Sequence, residues 1–158
     1  MAASVGTAEG HFIVTPRLRT RGPGASAFIG VRTIVLEDCP ASPPPDHECP
    51  IEVSSADRHG RFHAPVQLAS GKSIDAFVHD ARGDQLLVWT RSSSAAAGLY
   101  AAVRAAGSTR FSAPRLLGTP PVNPSDVNAG VGPRGEAIVT WSTAAGKVLA
   151  DVATIAAR

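Results

Sequence analysis

Short apolar runs, separated by glycine, proline, serine and aspartate, follow one another along the chain. In the best-defined stretch this pattern predicts four β-strands, at 74–79, 85–91, 99–104 and 111–117, joined by tight or small-residue links. The ending VLADVATIAAR has helical propensity, but its alignment with GLYAAVR favours a strand, and no other stretch keeps a helical spacing of apolar residues. The pattern therefore predicts an all-β protein.

This four-strand unit repeats with a period of about 50 residues, the spacing of a structural repeat. Its first mark is a phenylalanine followed by a proline, in GHFIVTPRL (10–18), GRFHAPVQL (60–68) and TRFSAPRLL (109–117). Its second mark is a glycine turn, an apolar run and a tryptophan, in DARGDQLLVWTR (80–91) and GPRGEAIVTWST (132–143). The corresponding stretch of the first unit, TIVLED (33–38), has neither the turn nor the tryptophan.

Four-stranded units of this length are typical of β-propeller blades, because one blade cannot bury both of its faces and must stack on its neighbours. We therefore predict a single region over 1–158 with about three four-stranded antiparallel propeller blades, in units of about 10–59, 60–108 and 109–158. Closed propellers have about four to eight blades, so this propeller is expected to be incomplete. Either the chain is a fragment of a longer propeller, or several copies complete the ring as a homo-oligomer. The first explanation is favoured because no signal peptide is visible.

Composition narrows the classes of function. Hydrophobic residues make up 44% of the chain and charged residues 18%, which suits a buried core. The formal net charge of +2 is too small and too evenly spread to predict a nucleic-acid partner. No apolar run is long enough for a membrane-spanning helix, and the first residues, MAASVGTAEGHF, have neither the basic start nor the apolar centre of a signal peptide.

Cys39 and Cys49 flank the loop sequence PASPPPDHE, between two apolar runs that form a predicted hairpin. An even number of cysteines beside a loop favours a disulfide and an oxidising compartment, so we predict an extracellular or periplasmic protein. Two unpaired thiols are one alternative. A metal site that adds His47 to the two cysteines is the other, and it is disfavoured because zinc takes four ligands at tighter spacings.

The segment SADRHGRF (55–62) has the serine, the aspartate and the final aromatic residue of the pattern Ser-x-Asp-x-Gly-x-Thr-Trp, with its glycine one place late. The repeat thereby resembles the bacterial sialidase-like β-propellers, known as BNR or Asp-box proteins, and especially the Ala-rich uncharacterised secreted repeat proteins of actinobacteria. The resemblance implies that Asp57 caps backbone amides in a turn, which marks a blade and not a catalytic site. The Arg-Ile-Pro start of the sialidases is absent, and Tyr100, the single tyrosine, lies in an apolar strand. The resemblance therefore assigns no catalytic residue of the sialidases to this sequence.

The sequence predicts no catalytic, cofactor-binding or metal-binding residue and no cofactor, because the motifs GxSxG and HExxH, a P-loop, and a GxGxxG after a strand are all missing. Arg82 and Arg134 recur at the same place in two units, each before a glycine that suits a tight turn. These two arginines are the candidate surface contacts to a ligand, in particular an anionic sugar. The alternative is that each is solvated or paired with a nearby carboxylate.

From these features we expect a non-catalytic extracytoplasmic β-propeller repeat module that binds protein or carbohydrate through the loops at one end of the sheets. A fragment of a sialidase-like glycoside hydrolase is the first alternative, so enzymatic activity is left open. A lectin completed by oligomerisation is the second alternative.

Overall fold

The computed structural model describes residues 4–6, 12–14, 26–30, 32–37, 39–40, 47–57, 59–93, 96–119 and 122–155, and within them all regular structure is β-strand. The strands are β1 (Ser4–Gly6), β2 (Phe12–Val14), β3 (Ser26–Gly30), β4 (Thr33–Glu37), β5 (Cys49–Ser55), β6 (Val66–Gly71), β7 (Ser73–His79), β8 (Gln85–Arg91), β9 (Gly98–Arg104), β10 (Arg115–Gly118), β11 (Val122–Val131), β12 (Glu136–Thr143) and β13 (Val148–Thr154). The prediction of an all-β protein is confirmed. Among the described residues no helix has the length and apolarity required to cross a membrane.

Three antiparallel meanders follow one another along the chain. Sheet 1 has the strand order β3-β4-β5-β6, sheet 2 the order β7-β8-β9-β10, and sheet 3 the order β11-β12-β13. The second strands of the three sheets begin at Thr33, Gln85 and Glu136, so equivalent elements recur at about the period that the sequence predicts. Strands β1 and β2 pair with each other in a separate two-stranded hairpin. None of the described sheets closes on itself.

The fourth strand of each complete sheet begins after its proline, not at the phenylalanine. The predicted strand at 111–117 is observed as Arg115–Gly118, and β6 begins at Val66, directly after Pro65. Proline has no backbone N–H to give to the ladder, which delays the start of the strand. Phe62 makes only an isolated bridge with Ala56. The corresponding Pro16 of the first mark lies outside the described residues.

Strand β1 and two strands of the larger sheets were not predicted from the sequence. Of these two, Ser26–Gly30 follows a glycine- and proline-rich stretch, and Val122–Val131 contains one proline and two asparagines in place of an alternating apolar pattern. Both are first strands of their sheets, and each pairs along one edge with the second strand of its sheet. Their partners, not their own residue pattern, therefore account for their strand conformation.

The core forms where sheet 2 packs between sheets 1 and 3, because side chains alternate between the two faces of a strand. One face of sheet 2 meets sheet 3 through a buried cluster of Leu86, Val88, Leu99, Ala101, Ala137, Val139 and Trp141. The opposite face meets sheet 1 through Val35, Ile51, Ile74, Leu87, Trp89 and Ala102. Both tryptophans therefore pack between neighbouring sheets.

The predicted disulfide is confirmed. Cys39 and Cys49 are bonded, with their Cα atoms 5.2 Å apart, and they join the end of β4 to the start of β5. The alternatives of two free thiols and of a metal site with His47 are wrong, because both sulfur atoms are used in the bond. A disulfide persists in oxidising compartments, so the bond is consistent with the predicted extracytoplasmic location.

Candidate functional site

The turns at one end of the sheets repeat the same backbone geometry. In sheet 2 the amide of Gly83 donates to the carbonyl of Asp80 at 3.2 Å, and in sheet 3 the amide of Gly135 donates to the carbonyl of Gly132 at 3.0 Å. The two glycines have φ values of 95° and 83°. The sequence-based expectation that these glycines supply a positive φ is therefore confirmed.

Sheet 1 departs from this pattern at Arg32. It is the last residue of the turn between β3 and β4, directly before Thr33, and its φ is 54°. Among the described residues it is the one non-glycine with a positive φ. A side chain in this region of backbone space costs roughly 1–2 kcal/mol, and strain of this kind is concentrated at functional sites.

Arg32 lines a cleft of about 340 Å³ between the turn ends of sheets 1 and 2, which we call the arginine cleft. Three arginines, three hydroxyl side chains and one carboxylate contribute to its walls. The lining residues are Arg32, Ser55, Ala56, Asp57, Arg82, Gly83, Arg104, Gly107, Ser108 and Thr109. The cleft therefore combines guanidinium groups, hydroxyl groups and bare backbone in one small volume.

Arg82 is held in position by two aspartates of its own turn. Its Nε donates to Asp80 Oδ2 at 3.1 Å, and its Nη2 pairs with Asp84 Oδ2. Asp84 also accepts the amide of Ala106 at 2.6 Å, which joins this turn to the loop after β9. Burial raises the pKa of Asp80, but hydrogen bonds from three backbone amides and from Arg82 outweigh burial and hold its pKa below the usual range. The guanidinium of Arg82 is half exposed and faces the arginine cleft from a fixed position.

Arg104 is the buried cation of the arginine cleft. Only 7% of the residue is exposed, its Nη1 donates to Ser55 Oγ at 3.1 Å, and its guanidinium carbon lies 5.9 Å from the centre of the Phe111 ring. Burial lowers the pKa of Arg104, and the charge of Arg32 lowers it further. Two cations thus repel each other beside a partly desolvated space, and a bound anion would relieve that repulsion.

A second space of about 440 Å³, the outer cleft, adjoins the arginine cleft and shares Ser55 and Thr109 with it. Its walls combine apolar residues, among them Val53, Leu68 and Phe111, with the polar His63, Gln67 and Arg110. The outer cleft therefore adds space beside the arginine cleft.

The structure separates the two arginines that the sequence singles out. Arg82 lines the arginine cleft, whereas Arg134 lies on the equivalent turn of sheet 3, outside the lining of that cleft. The side chain of Arg134 is 89% exposed, and its Nε is 3.9 Å from Glu136 Oε1. Arg32 and Arg104 were not predicted. The sequence carries no signal for Arg32, because β3, the strand before its turn, was not predicted.

Asp57 behaves as the resemblance to Asp-box repeats implied. Its Oδ1 accepts the amides of His59 and Arg61 at 2.8 Å and 3.0 Å, in a turn whose Gly60 has a φ of 77°. Tyr100 is part of the core: its hydroxyl donates to the carbonyl of Ala96, and its ring stacks on Trp89. Both residues therefore have structural contacts that account for them.

One pair of carboxylates lies between sheets 1 and 2, away from the arginine cleft. Burial raises the pKa of Glu37, as does the charge of Asp75, while a hydrogen bond from the amide of Ile74 opposes the shift. Burial also raises the pKa of Asp75, which accepts hydrogen bonds from Thr90 and Ser73. The described residues hold no group of three or more histidine, cysteine, aspartate or glutamate side chains that could bind a metal ion.

The chain matches no protein-family model, no curated protein and no solved structure. The resemblance to sialidase-like repeats therefore stays a prediction that rests on the motifs of the sequence. The chemistry of the arginine cleft is interpreted below from its own geometry.

Proposed function

We propose that the protein is a non-catalytic binding module that holds an acidic saccharide in the arginine cleft. The observation that carries the proposal is Arg32. It has a left-handed backbone conformation, which glycine adopts without strain, and it lines the cleft with Arg82 and Arg104. Glycine would remove the strain, so the guanidinium group is the feature that an arginine adds at this position.

The ligand class follows from the groups that face the cleft. Guanidinium groups form charge-assisted, often bidentate hydrogen bonds with carboxylate and sulfate. The hydroxyls of Ser55, Ser108 and Thr109 can donate to or accept from sugar hydroxyl groups. A volume of about 340 Å³ lies at the small end of ligand pockets, which suits one sugar residue. The outer cleft then gives space to a second sugar residue.

The wider setting of the module is part of the same proposal. We take the three sheets as consecutive blades of an incomplete propeller, a proposal supported by their face-to-face stacking and by the adjacency of β3 to β7 and of β7 to β11. The arginine cleft then lies at one end of the blades, among the loops that carry binding sites in such folds. The disulfide supports an extracytoplasmic setting, where acidic polysaccharides are exposed.

Isothermal titration calorimetry tests the proposal, with an oligomer of galacturonic acid as the probe and the neutral oligomer of galactose as its control. The wild-type chain is expected to bind the acidic oligomer and not the neutral one. Arg32→Gly keeps the backbone conformation that glycine prefers, yet loses a charge-assisted hydrogen bond, which is worth roughly 10- to 100-fold in affinity. Arg134→Ala, which removes an arginine outside the cleft, is expected to bind like the wild type.

Two results would contradict the proposal. One is equal affinity for the acidic and the neutral oligomer, and the other is unchanged affinity in Arg32→Gly. Turnover of a fluorogenic sialoside by the purified chain would instead support the hydrolase alternative and overturn the non-catalytic assignment.

A further inference from the structure

A cavity of about 130 Å³ lies between sheets 2 and 3 and shares no lining residue with the arginine cleft. Strands β8, β9 and β10 contribute to one wall, and strands β12 and β13 form the other. The walls are mostly apolar, and four of the residues that line them are alanines, namely Ala101, Ala102, Ala137 and Ala153. The cavity is therefore a second space in the molecule, with a chemistry unlike that of the arginine cleft.

The cavity exists because the side chains at this interface are small. The interface between sheets 1 and 2 holds four aromatic rings, those of Phe77, Trp89, Tyr100 and Phe111. In the corresponding cluster between sheets 2 and 3, Trp141 is the single aromatic residue among the described ones. Protein interiors have few voids larger than a water molecule, so a space of this size departs from ordinary packing.

The volume and the apolar walls set the size and the class of ligand. An apolar cavity of about 150 Å³ in another protein stays dry and binds benzene, so this cavity suits a single six-membered aromatic ring. Pockets for larger ligands occupy roughly 300–1,000 Å³, so an oligosaccharide is too large. A single sugar ring is disfavoured as well, because alanine walls offer no partners to its hydroxyl groups.

One ion pair supplies the polar groups at the rim of the cavity. Arg115 of β10 and Asp151 of β13 both line the space, and Arg115 Nη2 lies 2.9 Å from Asp151 Oδ2. The pair joins sheets 2 and 3, and the side chain of Arg115 is more than half exposed, which places the pair at the solvent side. A carboxylate has about four acceptor positions, so Asp151 can keep its bond to Arg115 and accept a further hydroxyl group.

We propose that this cavity binds a small neutral phenol, with the aromatic ring against the alanines and the hydroxyl group donating to Asp151. Burial of the ring removes apolar surface from water. The hydrogen bond at the rim replaces the one that the hydroxyl group loses to water. The inference concerns a separate site and does not depend on the ligand of the arginine cleft.

Amide chemical shifts of the nitrogen-15-labelled chain, titrated with phenol and with benzene, test the proposal. The wild type is expected to bind phenol saturably, with shift changes concentrated in β9, β12 and β13. Phenol is also expected to bind at least as tightly as benzene. In a cavity without a polar partner, the hydroxyl group would be buried without a hydrogen bond, and phenol would bind roughly 10-fold more weakly than benzene.

Ala153→Leu and Ala150→Leu form a matched pair of variants on β13. Side chains alternate between the faces of a strand, so Ala153 lies on the cavity face with Asp151, whereas Ala150 is exposed on the opposite face. Ala153→Leu is expected to fill the cavity and to weaken phenol binding at least roughly 10-fold, while Ala150→Leu is expected to bind like the wild type. Ala137→Val fills the cavity from β12 and is expected to weaken binding in the same direction.

The proposal is overturned if the wild type shows no saturable shift changes with phenol, or if those changes lie away from the cavity. Phenol that binds roughly 10-fold more weakly than benzene would refute the role of Asp151 at the rim. Unchanged phenol affinity in both Ala153→Leu and Ala137→Val would also overturn the proposal, as would loss of binding in Ala150→Leu, which would place the ligand on the outer face of sheet 3.

Discussion

Replacing Gly135 by alanine is expected to destabilise the fold much more than replacing Gly146, although the two glycines have similar φ values of 83° and 74°. A Cβ in this backbone conformation lowers the free energy of unfolding by roughly 1–2 kcal/mol. Alanine also restricts the unfolded chain, which raises the free energy of unfolding by about 0.4–1 kcal/mol. A Cβ at Gly146 would meet no atom within 4 Å. The free energy of unfolding of Gly146→Ala should therefore fall by only about 0.5–1 kcal/mol.

Gly135 carries an additional steric conflict. Its Cβ would lie 2.9 Å from the carbonyl oxygen of Ile155 and 3.0 Å from a guanidinium nitrogen of Arg82. The backbone is fixed at this point, because the amide of Ile155 donates to the carbonyl of Gly135 at 2.7 Å. Overpacking that cannot relax costs about 1–3 kcal/mol beyond the strain, so the total loss for Gly135→Ala is about 2–4 kcal/mol.

Urea denaturation of the wild type and the two variants measures these losses directly. Gly107→Ala is a second control, because Gly107 has a φ of 77° and a Cβ there would also meet no atom within 4 Å. It should behave like Gly146→Ala. If Gly135→Ala loses no more stability than these two controls, the close packing of the sheet 3 turn against Ile155 and Arg82 is not as described.

Three further perturbations test other contacts. Reduction of the Cys39–Cys49 bond, which links residues 10 apart in sequence, should lower the free energy of unfolding by about 2–3 kcal/mol in urea titrations; no change would contradict its role. Burial raises the pKa of Glu37 in the folded protein above its pKa in the unfolded chain. Protonated Glu37 therefore contributes its full stabilisation below the pKa of the unfolded chain, and this stabilisation is lost as pH rises through the pKa of the folded protein. Glu37→Gln should thus gain stability relative to the wild type as pH rises, and a constant difference across a pH series would refute this. Asp84→Asn should cost about 1.5–3 kcal/mol in thermal unfolding, because buried Asp84 pairs with Arg82 and accepts the amide of Ala106; a neutral effect would show that these bonds are not needed.

The predictability of the fold differed between the strands of each sheet. Strands β8, β9 and β12 were recognisable because they are central or heavily buried, so their residues are continuously apolar or alternate clearly. The first strands β3 and β11 were missed, whereas β7, also the first strand and edge of its sheet, was predicted. Strand β11 has a proline and two asparagines in place of an apolar pattern, so its conformation depends on its partner. The fourth strand of sheet 2 was predicted too long, because the prediction begins at Phe111 whereas the ladder starts only after Pro114.

The candidate site was predictable only in part, since its members come from four separate connections. The Arg-Gly repeat pointed to Arg82, whose turn is local in sequence, but the same repeat pointed equally to the exposed Arg134. Arg104 had no signal of its own, because a charged residue at the end of a strand is usually solvated. Its burial is a consequence of the packing of sheet 2 against sheet 1.

Residue order alone determined the all-β class, the period of about 50 residues and the glycine turns, because each of these depends on neighbouring residues or on short loops. It favoured the cysteine pairing, which the structure then confirmed. Tertiary structure alone decided which arginines line the same cleft, that Arg32 has a positive φ, and that β13 pairs only with β12 among the described strands. Those features depend on distances between sheets, and stacking brings together residues that are far apart along the chain without leaving a local pattern in the sequence.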